Sequence, residues 1–400
     1  MPSSRRTTAV VGLTLALAPL LTTGCVDRVI RELGLCGDGT LDPGEICLGR
    51  GDRSSIPIEG IDGLVMRTAD FDGDAHVDLL VLGTDASGVV SSILWRGTGQ
   101  GTFEPPMDPA IRGCSAYAVA GQGDADEIAD VLVDDCGPSM SLFLGTGSGT
   151  FSAPETIQTG VETRSSGMVD LDRDGLREVI AMGTNGGSIA MTVIERADDG
   201  SSSIRYTALG AMSPEFDPRG LGLLDVDDDQ IFDALLVQSG QPGGLTLAAG
   251  EPEFGFAAPR PIGPPGLVVD TSLVRDLDED ERPDVLAVNF DDEALIFLRA
   301  EDGDLVERAR TIVPGLRVGP AGGGDIDADD HFDLLLFEPG SRKLQAWFGR
   351  GDGGFEGPFD VDLDAPIGQI ALVDLDEDGA LDIVAGTFED GAIQILLSDP

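Results

Sequence analysis

Seven copies of an acidic nonapeptide at near-constant spacing, short apolar runs on both sides of each, and a glycine turn leading to phenylalanine predict an all-β chain: a seven-bladed β-propeller of four-stranded blades. The copies are DFDGDAHVD from Asp70, QGDADEIAD from Gln122, DLDRDGLRE from Asp170, DVDDDQIFD from Asp225, DLDEDERPD from Asp276, DIDADDHFD from Asp325 and DLDEDGALD from Asp374. Their starts lie 52, 48, 55, 51, 49 and 49 residues apart. A right-handed β-helix repeats at roughly half that length or less. An EF-hand needs flanking helices and a glutamate at its twelfth position, where the first copy has Val81, inside a strand pattern.

Within each unit the elements follow in order. An apolar stretch leads in, as in GLVMRTA or IGQIALV, and a second run rich in Val, Ile and Leu follows the nonapeptide at once: LLVLG, VLVDD, VIAMG, ALLVQ, VLAVN, LLLFE and IVAGT. Runs of that length and composition read as buried strands, which makes the nonapeptide a hairpin loop between them. A third strand comes next, as in SSILWRG, MSLFLG, ALIFLRA, KLQAWFG and AIQILLS. A glycine turn and a fourth strand near phenylalanine close the unit, as in GTGQGTFEPP and GTGSGTFSAP. The last unit stops one strand short at AIQILLSDP, while RSSIPIEGIDG, residues 53 to 63, precedes the first. The N-terminal strand is therefore expected to complete the seventh blade and close the ring.

Composition sets the outer bounds. The 400 residues are 41% hydrophobic, ample for a core, and 56 glycines with 24 prolines imply many tight turns. A formal charge of −47 makes nucleic acid and anionic membrane surfaces poor partners. Residues 1–24 pair a basic start with a short apolar run and a small-residue stretch, the pattern of an export signal rather than a membrane span. The ending LTTGC resembles a lipobox, with Thr22 where Leu or Val is usual, and the resemblance implies lipidation of Cys25. SRRTTAV lacks the large apolar residue that normally follows a twin-arginine pair. Val26 is not the aspartate that retains lipoproteins in an inner membrane, which favours the outer membrane or cell surface over a periplasmic or secreted location. The expected organisation is signal peptide 1–24, cysteine-rich lipid-anchored tether 25–52 and propeller 53–400. In an oxidising compartment the remaining four cysteines are expected to pair, Cys36 with Cys47 around CGDGTLDPGEIC and Cys114 with Cys136 across the second acidic loop.

The repeats resemble the FG-GAP/VCBS repeats of integrin-α-type seven-bladed propellers over residues 53 to 400, in both the D-x-D-x-D-G-x-x-D motif and the glycine turn before phenylalanine. The resemblance implies Ca²⁺ in the loop between the first two strands of a blade. The chemistry agrees: acids at positions 1, 3, 5 and 9 with a backbone carbonyl near 7 give the oxygen set that Ca²⁺ prefers. The candidate ligands are Asp70, Asp72, Asp74 and Asp78; Asp124, Asp126 and Asp130; Asp170, Asp172, Asp174 and Glu178; Asp225, Asp227, Asp229 and Asp233; Asp276, Asp278, Asp280 and Asp284; Asp325, Asp327, Asp329 and Asp333; and Asp374, Asp376, Asp378 and Asp382. Position 6 favours positive φ, which only Gly175 and Gly379 supply with glycine. The seventh copy is thus the most complete, and the second, with Gln122 first, the poorest. The competing reading of any one loop is a solvated acidic turn with no ion.

Catalytic signals are sparse. His76 and His331 both lie at position 7 of acidic loops and are expected to offer backbone carbonyls; no CxxC pair, HExxH or phosphate loop is present. Trp95 and Trp347 in the third strands of blades one and six read as core, and the tripeptides Arg50-Gly51-Asp52 and Arg350-Gly351-Asp352 as coincidences of tether and turn. The expected function is a non-catalytic binding or adhesion module for a protein or polysaccharide, with membrane contact only through the lipid anchor. A carbohydrate-active lyase or hydrolase on the same scaffold is the alternative.

Overall fold

The computed structural model describes residues 36–37, 40–41, 43–58, 61–84, 90–113, 118–124, 126–173, 177–196, 202–213, 216–238, 244–317, 320–387 and 391–400. The leader, Cys25, Cys114, Asp174 and Gly175 lie outside them. The described residues form strands and turns without helix, arranged as seven sheets around an axis. Blade one holds Asp62–Ala69, Asp78–Thr84 and Val90–Trp95, with its fourth lane reduced to a bridge between Leu94 and Met107. Blade two holds Ala118–Gly121, Asp130–Asp134, Ser139–Phe143 and Glu155–Gln158; blade three Glu162–Val169, Glu178–Asn185, Ser188–Arg196 and Ser202–Ala211. Blade four holds Pro218–Leu224, Asp233–Gln238, Gly244–Ala248 and Arg260–Ile262, plus a small hairpin of Gly250–Glu251 with Gly255–Phe256. Blade five holds Thr271–Arg275, Asp284–Asn289, Ala294–Glu301 and Asp304–Ile312; blade six Pro320–Gly324, Asp333–Phe337, Lys343–Gly349 and Phe355–Asp362. All neighbours within a blade are antiparallel.

The second strands are continuous apolar runs because both their faces are covered. Alternate residues serve opposite neighbours: Leu79 and Val81 pack toward blade seven, Leu80 and Leu82 toward blade two. Likewise Ala234 and Leu236 face blade three, Leu235 and Val237 blade five. The core is thus a ring of apolar clusters with one spanning each of the seven blade-to-blade contacts, plus a small one of Val161, Ala181 and Ala190 in blade three, and most second-strand side chains are wholly buried. Near the axis, Arg67 on the first strand of blade one donates from Nε to the Ala118 carbonyl of blade two at 2.9 Å. On its other side Gln369 of blade seven accepts the Met66 N–H through Oε1 at 2.9 Å.

Closure follows the expected strand. Arg53–Pro57 pairs antiparallel with Ala392–Leu396, with Arg53 opposite Leu396 and Pro57 opposite Ala392, and so completes a blade begun by Gln369–Val373 and Asp382–Thr387. The preceding segment is packed as well. Ile46 and Leu48 are buried in the cluster between blades six and seven, and Gly44 N–H donates to the Asp327 carbonyl at 2.7 Å. Cys36 and Cys47 are disulfide-bonded. The stretch expected to be a tether is, from about residue 43 onward, part of the seam that closes the ring.

Closure makes blades one and seven neighbours only while Arg53–Pro57 is in place. Deleting residues 53–61 is expected to replace the single cooperative melt, followed by circular dichroism, with a broad multistep loss of structure. An unchanged sharp transition would overturn this account of closure.

Candidate metal centres

Each acidic loop runs from the end of a blade's first strand to the first residue of its second. That first residue is the ninth of the motif: Asp78, Asp130, Glu178, Asp233, Asp284, Asp333 or Asp382. All are buried. Among the described residues, the ninth carboxylate accepts two backbone N–H groups in five blades, one from loop position two and one from a residue at the end of the third strand or two beyond it. Asp78 takes Phe71 and Gly97, both at 2.8 Å; Asp333 takes Ile326 at 2.8 Å and Gly349 at 2.7 Å; Asp382 takes Leu375 at 2.8 Å and Ser398 at 2.7 Å. Asp233 takes Val226 and Gly250, and Asp130 takes Gly123 and Gly145. The ninth acid is therefore a bracket tying loop to third strand, whatever else it binds.

This bracket also explains the glycine at the end of the third strand in blades one, two, four and six. A Cβ on Gly97, Gly250 or Gly349 would strike the eighth-position carbonyl of Val77, Phe232 or Phe332, at 2.5 Å for Gly250. Blade seven has Ser398 there instead, and its Oγ donates to the corresponding Leu381 carbonyl at 2.6 Å.

The other acids wire the loop to itself. Position one accepts the position-six N–H, as Asp70 does from Ala75 at 2.8 Å and Asp374 from Gly379 at 3.0 Å. Position five accepts the position-seven N–H, as Asp74 does from His76 and Asp378 from Ala380, both at 2.9 Å. The sixth residue is left-handed in every described copy that includes it, including the non-glycine residues Ala75, Glu127, Gln230, Glu281 and Asp330. Position four is left-handed too, at Gly73, Arg173, Asp228, Glu279, Ala328 and Glu377. Such conformations are costly for residues with a Cβ and persist where the surroundings over-determine them.

The turns bring the acids together. Ligand oxygens of Asp70, Asp72 and Asp78 lie within 4.8 Å of one another, as do those of Asp170, Asp172 and Glu178, of Asp225, Asp227 and Asp229, and of Asp276, Asp278 and Asp280. In loops five and seven, buried oxygens of Asp276, Asp278, Asp284, Asp374 and Asp376 have no hydrogen-bond donor. Burial first, then neighbouring acids, drives the ninth carboxyls upward: Asp78 and Asp130 to about 6, Asp284 and Asp382 to about 7, Asp333 to about 8. Asp376 and Asp378 are raised by the same causes. A divalent cation among these oxygens would reverse that direction and satisfy the orphaned atoms. Loop seven fits this demand: four carboxylates, donor-free buried oxygens and Gly379 at position six. In loop two the described acids Asp124 and Asp126 stand beside Gln122 and the Asp130 bracket; in loop six Asp327, fully buried, stands beside Asp325 and Asp329. Cys136 is disulfide-bonded to a partner outside the described residues.

One recurring contact was not anticipated from the sequence. The side chains at position seven, expected to contribute only carbonyls, reach the position-four acid of the preceding blade. His76 Nδ1 meets Glu377 at 2.5 Å, His331 meets Glu279, and Arg282 meets Asp228. Glu377 raises the His76 pKa; for His331, burial works against the charged form but Glu279 and nearby acids outweigh it. Where position four is Gly73, the next blade supplies Ile128, in van der Waals reach of a Cβ placed on that glycine. The signal lay in comparing position four of one copy with position seven of the next. Trp95 and Trp347 are each 4% exposed and belong to the core. The first Arg-Gly-Asp tripeptide is tied into the fold, Leu397 N–H donating to the Asp52 carbonyl; in the second, Arg350 pairs with Asp352 of the same exposed turn.

No family model and no curated protein matches the chain. Among solved structures it is similar to BBS1N, crystallised in complex with ARL6DN, at TM-score 0.53 and 10% identity over 86% of this chain and 96% of that one. Two chains described as "putative 6-phosphogluconolactonase" align less well. The one from Bacteroides fragilis has TM-score 0.41 and 14% identity over 78% of this chain and 84% of its own. The one from Bacteroides uniformis has TM-score 0.43 and 15% identity over 78% and 85%. The class defined here is the seven-bladed β-propeller; at such identities the likeness carries the fold and nothing about activity.

Removing the ninth carboxylate leaves two buried N–H groups without acceptors, at about 1–3 kcal/mol each. Asp78→Ala is therefore expected to destabilise the chain by about 2–6 kcal/mol in urea unfolding under chelator, against less than about 1 kcal/mol for the exposed Asp74→Ala. Equal losses would show that the ninth acid is no bracket.

Proposed function

We propose that the protein is a calcium-stabilised propeller serving as a non-catalytic binding or adhesion module, held at the outer membrane or cell surface through a lipid on Cys25. The observation that carries the calcium reading is loop seven, where buried oxygens of Asp374 and Asp376 lack donors while Asp376, Asp378 and Asp382 crowd one another. Asp374, Asp376 and Asp378 would hold the ion, with the Asp382 bracket beneath them. Calcium supplies the positive charge that the turn otherwise lacks. Its role is structural, because the loop acids face their own backbone. The partner is a protein or polysaccharide whose recognition does not depend on phosphate-type anions, given the charge of −47.

At about 1 mM calcium and a dissociation constant of about 10⁻⁴–10⁻³ M, each filled site adds about 0.4–1.4 kcal/mol to the native state. A calorimetric melt is expected to rise by roughly a few degrees with calcium relative to chelator; an unchanged midpoint overturns the calcium reading. Binding to a glycan array and pull-down of surface proteins are expected to weaken under chelator. Turnover of a polysaccharide by the purified chain would instead establish the enzymatic alternative.

A further inference from the structure

The third strand of each blade places one residue directly across from the ninth acid. The antiparallel register sets it: Val285 pairs with Leu298, so Asp284 faces Arg299; Ile383 pairs with Leu396, so Asp382 faces Leu397. By the same reading Asp333 faces Phe348, Asp233 faces Ala249, and Asp78 faces Arg96. The loops thus differ in whether the chain itself offers them a cation.

In blade five it does. Arg299 Nη1 lies 2.7 Å from Asp278, Nη2 contacts Asp280, and Nε is 3.8 Å from Glu301. The two aspartate side chains are 11% and 21% exposed. The guanidinium spans positions three and five, the two positions that a loop ion must share. It is planar, permanently charged and matched to carboxylate pairs, so it neutralises Asp278 and Asp280 in a fixed geometry, while one buried oxygen each of Asp276, Asp278 and Asp284 keeps no hydrogen-bond donor. Blade one is a partial version: Arg96 is 3.5 Å from Asp72 and turns its other nitrogen to Glu104. Blades six and seven have only Phe348 and Leu397 at this place.

We propose that Arg299 is the resident cation of loop five, so that this loop is closed by the protein itself and takes no calcium, while loop seven depends on metal. The inference rests on the calcium reading for its contrast, but loop five can be tested separately. Leu397 leaves loop seven without a cation from its third strand, whereas Arg299 supplies one to loop five.

The test is calcium uptake by the full chain after chelator stripping, measured by isothermal titration. Asp278→Asn with Asp280→Asn is expected to leave the number of bound calcium ions unchanged, whereas Asp376→Asn with Asp378→Asn removes one. Arg299→Gln is expected to gain one ion and to acquire a melting midpoint that falls in chelator and recovers with calcium. Loss of an ion from the Asp278/Asp280 variant, or no gain in a folded Arg299→Gln chain, overturns the proposal. Should Arg299→Gln fail to fold, the Asp278/Asp280 variant decides alone. A wild-type chain that binds no calcium overturns the reading of loop seven; a gain by Arg299→Gln would then still support the role of Arg299, and no uptake by either overturns both.

Discussion

Much of this molecule hangs on a buried carboxylate that accepts two backbone N–H groups. In five blades, among the described residues, the ninth acid of the motif joins the loop before it to the end of the third strand, and nine of the ten N–H bonds it accepts are buried. The bracket sets where the loop sits. It also demands glycine, or Ser398 in its stead, where the third strand ends, because the backbone of loop position eight passes within contact distance. Two sequence signatures that looked separate, the acid and the glycine turn, are the two ends of one contact.

Fixing an acid so deeply creates an electrostatic debt that each blade settles differently. Backbone N–H groups offset part of the charge at the first, fifth and ninth positions but leave buried oxygens without donors at position one of loops five and seven, at position nine of loop five and at position three of both. Blade five answers with Arg299, blade one in part with Arg96, and blade seven offers no side-chain cation from its third strand. Between blades, His76, Arg282 and His331 answer the acids at position four. With 72 acidic and 25 basic residues, the chain places several of its few cations against these loops. Exposed pairs of this kind add little stability singly, so their value here is in setting one loop against the next.

The repeat spacing and the apolar runs were enough to read the propeller, its blade number and its closing strand. They succeed because a strand covered on both faces must be apolar throughout and because a closed ring must repeat. The fourth lane of blade one, reduced to the Leu94–Met107 bridge, carries no such signature, since an outer strand has one exposed face and few constraints. Likewise Ile46 and Leu48 look like tether residues until the seam between blades six and seven is known. In the loops, residue type could not separate a buried acid that ties the loop to the third strand from one that stays within the loop: Asp78 and Asp72 read alike. Glycine content misled about position six, because Ala75, Gln230 and Glu281 adopt the left-handed turn under the same set of hydrogen bonds.

That last point bears on how such a motif diversifies. The left-handed residues at positions four and six are held by acceptors at positions one and five, so the turn keeps its shape when glycine is lost. Position four is then free to vary, and its partner across the blade boundary varies with it: Glu377 with His76, Glu279 with His331, Asp228 with Arg282, Gly73 with Ile128. The cross-strand residue varies on its own, because its only neighbour in question is the loop of its own blade. A repeat whose shape is set by backbone hydrogen bonds can therefore change its charge balance one blade at a time without disturbing the ring.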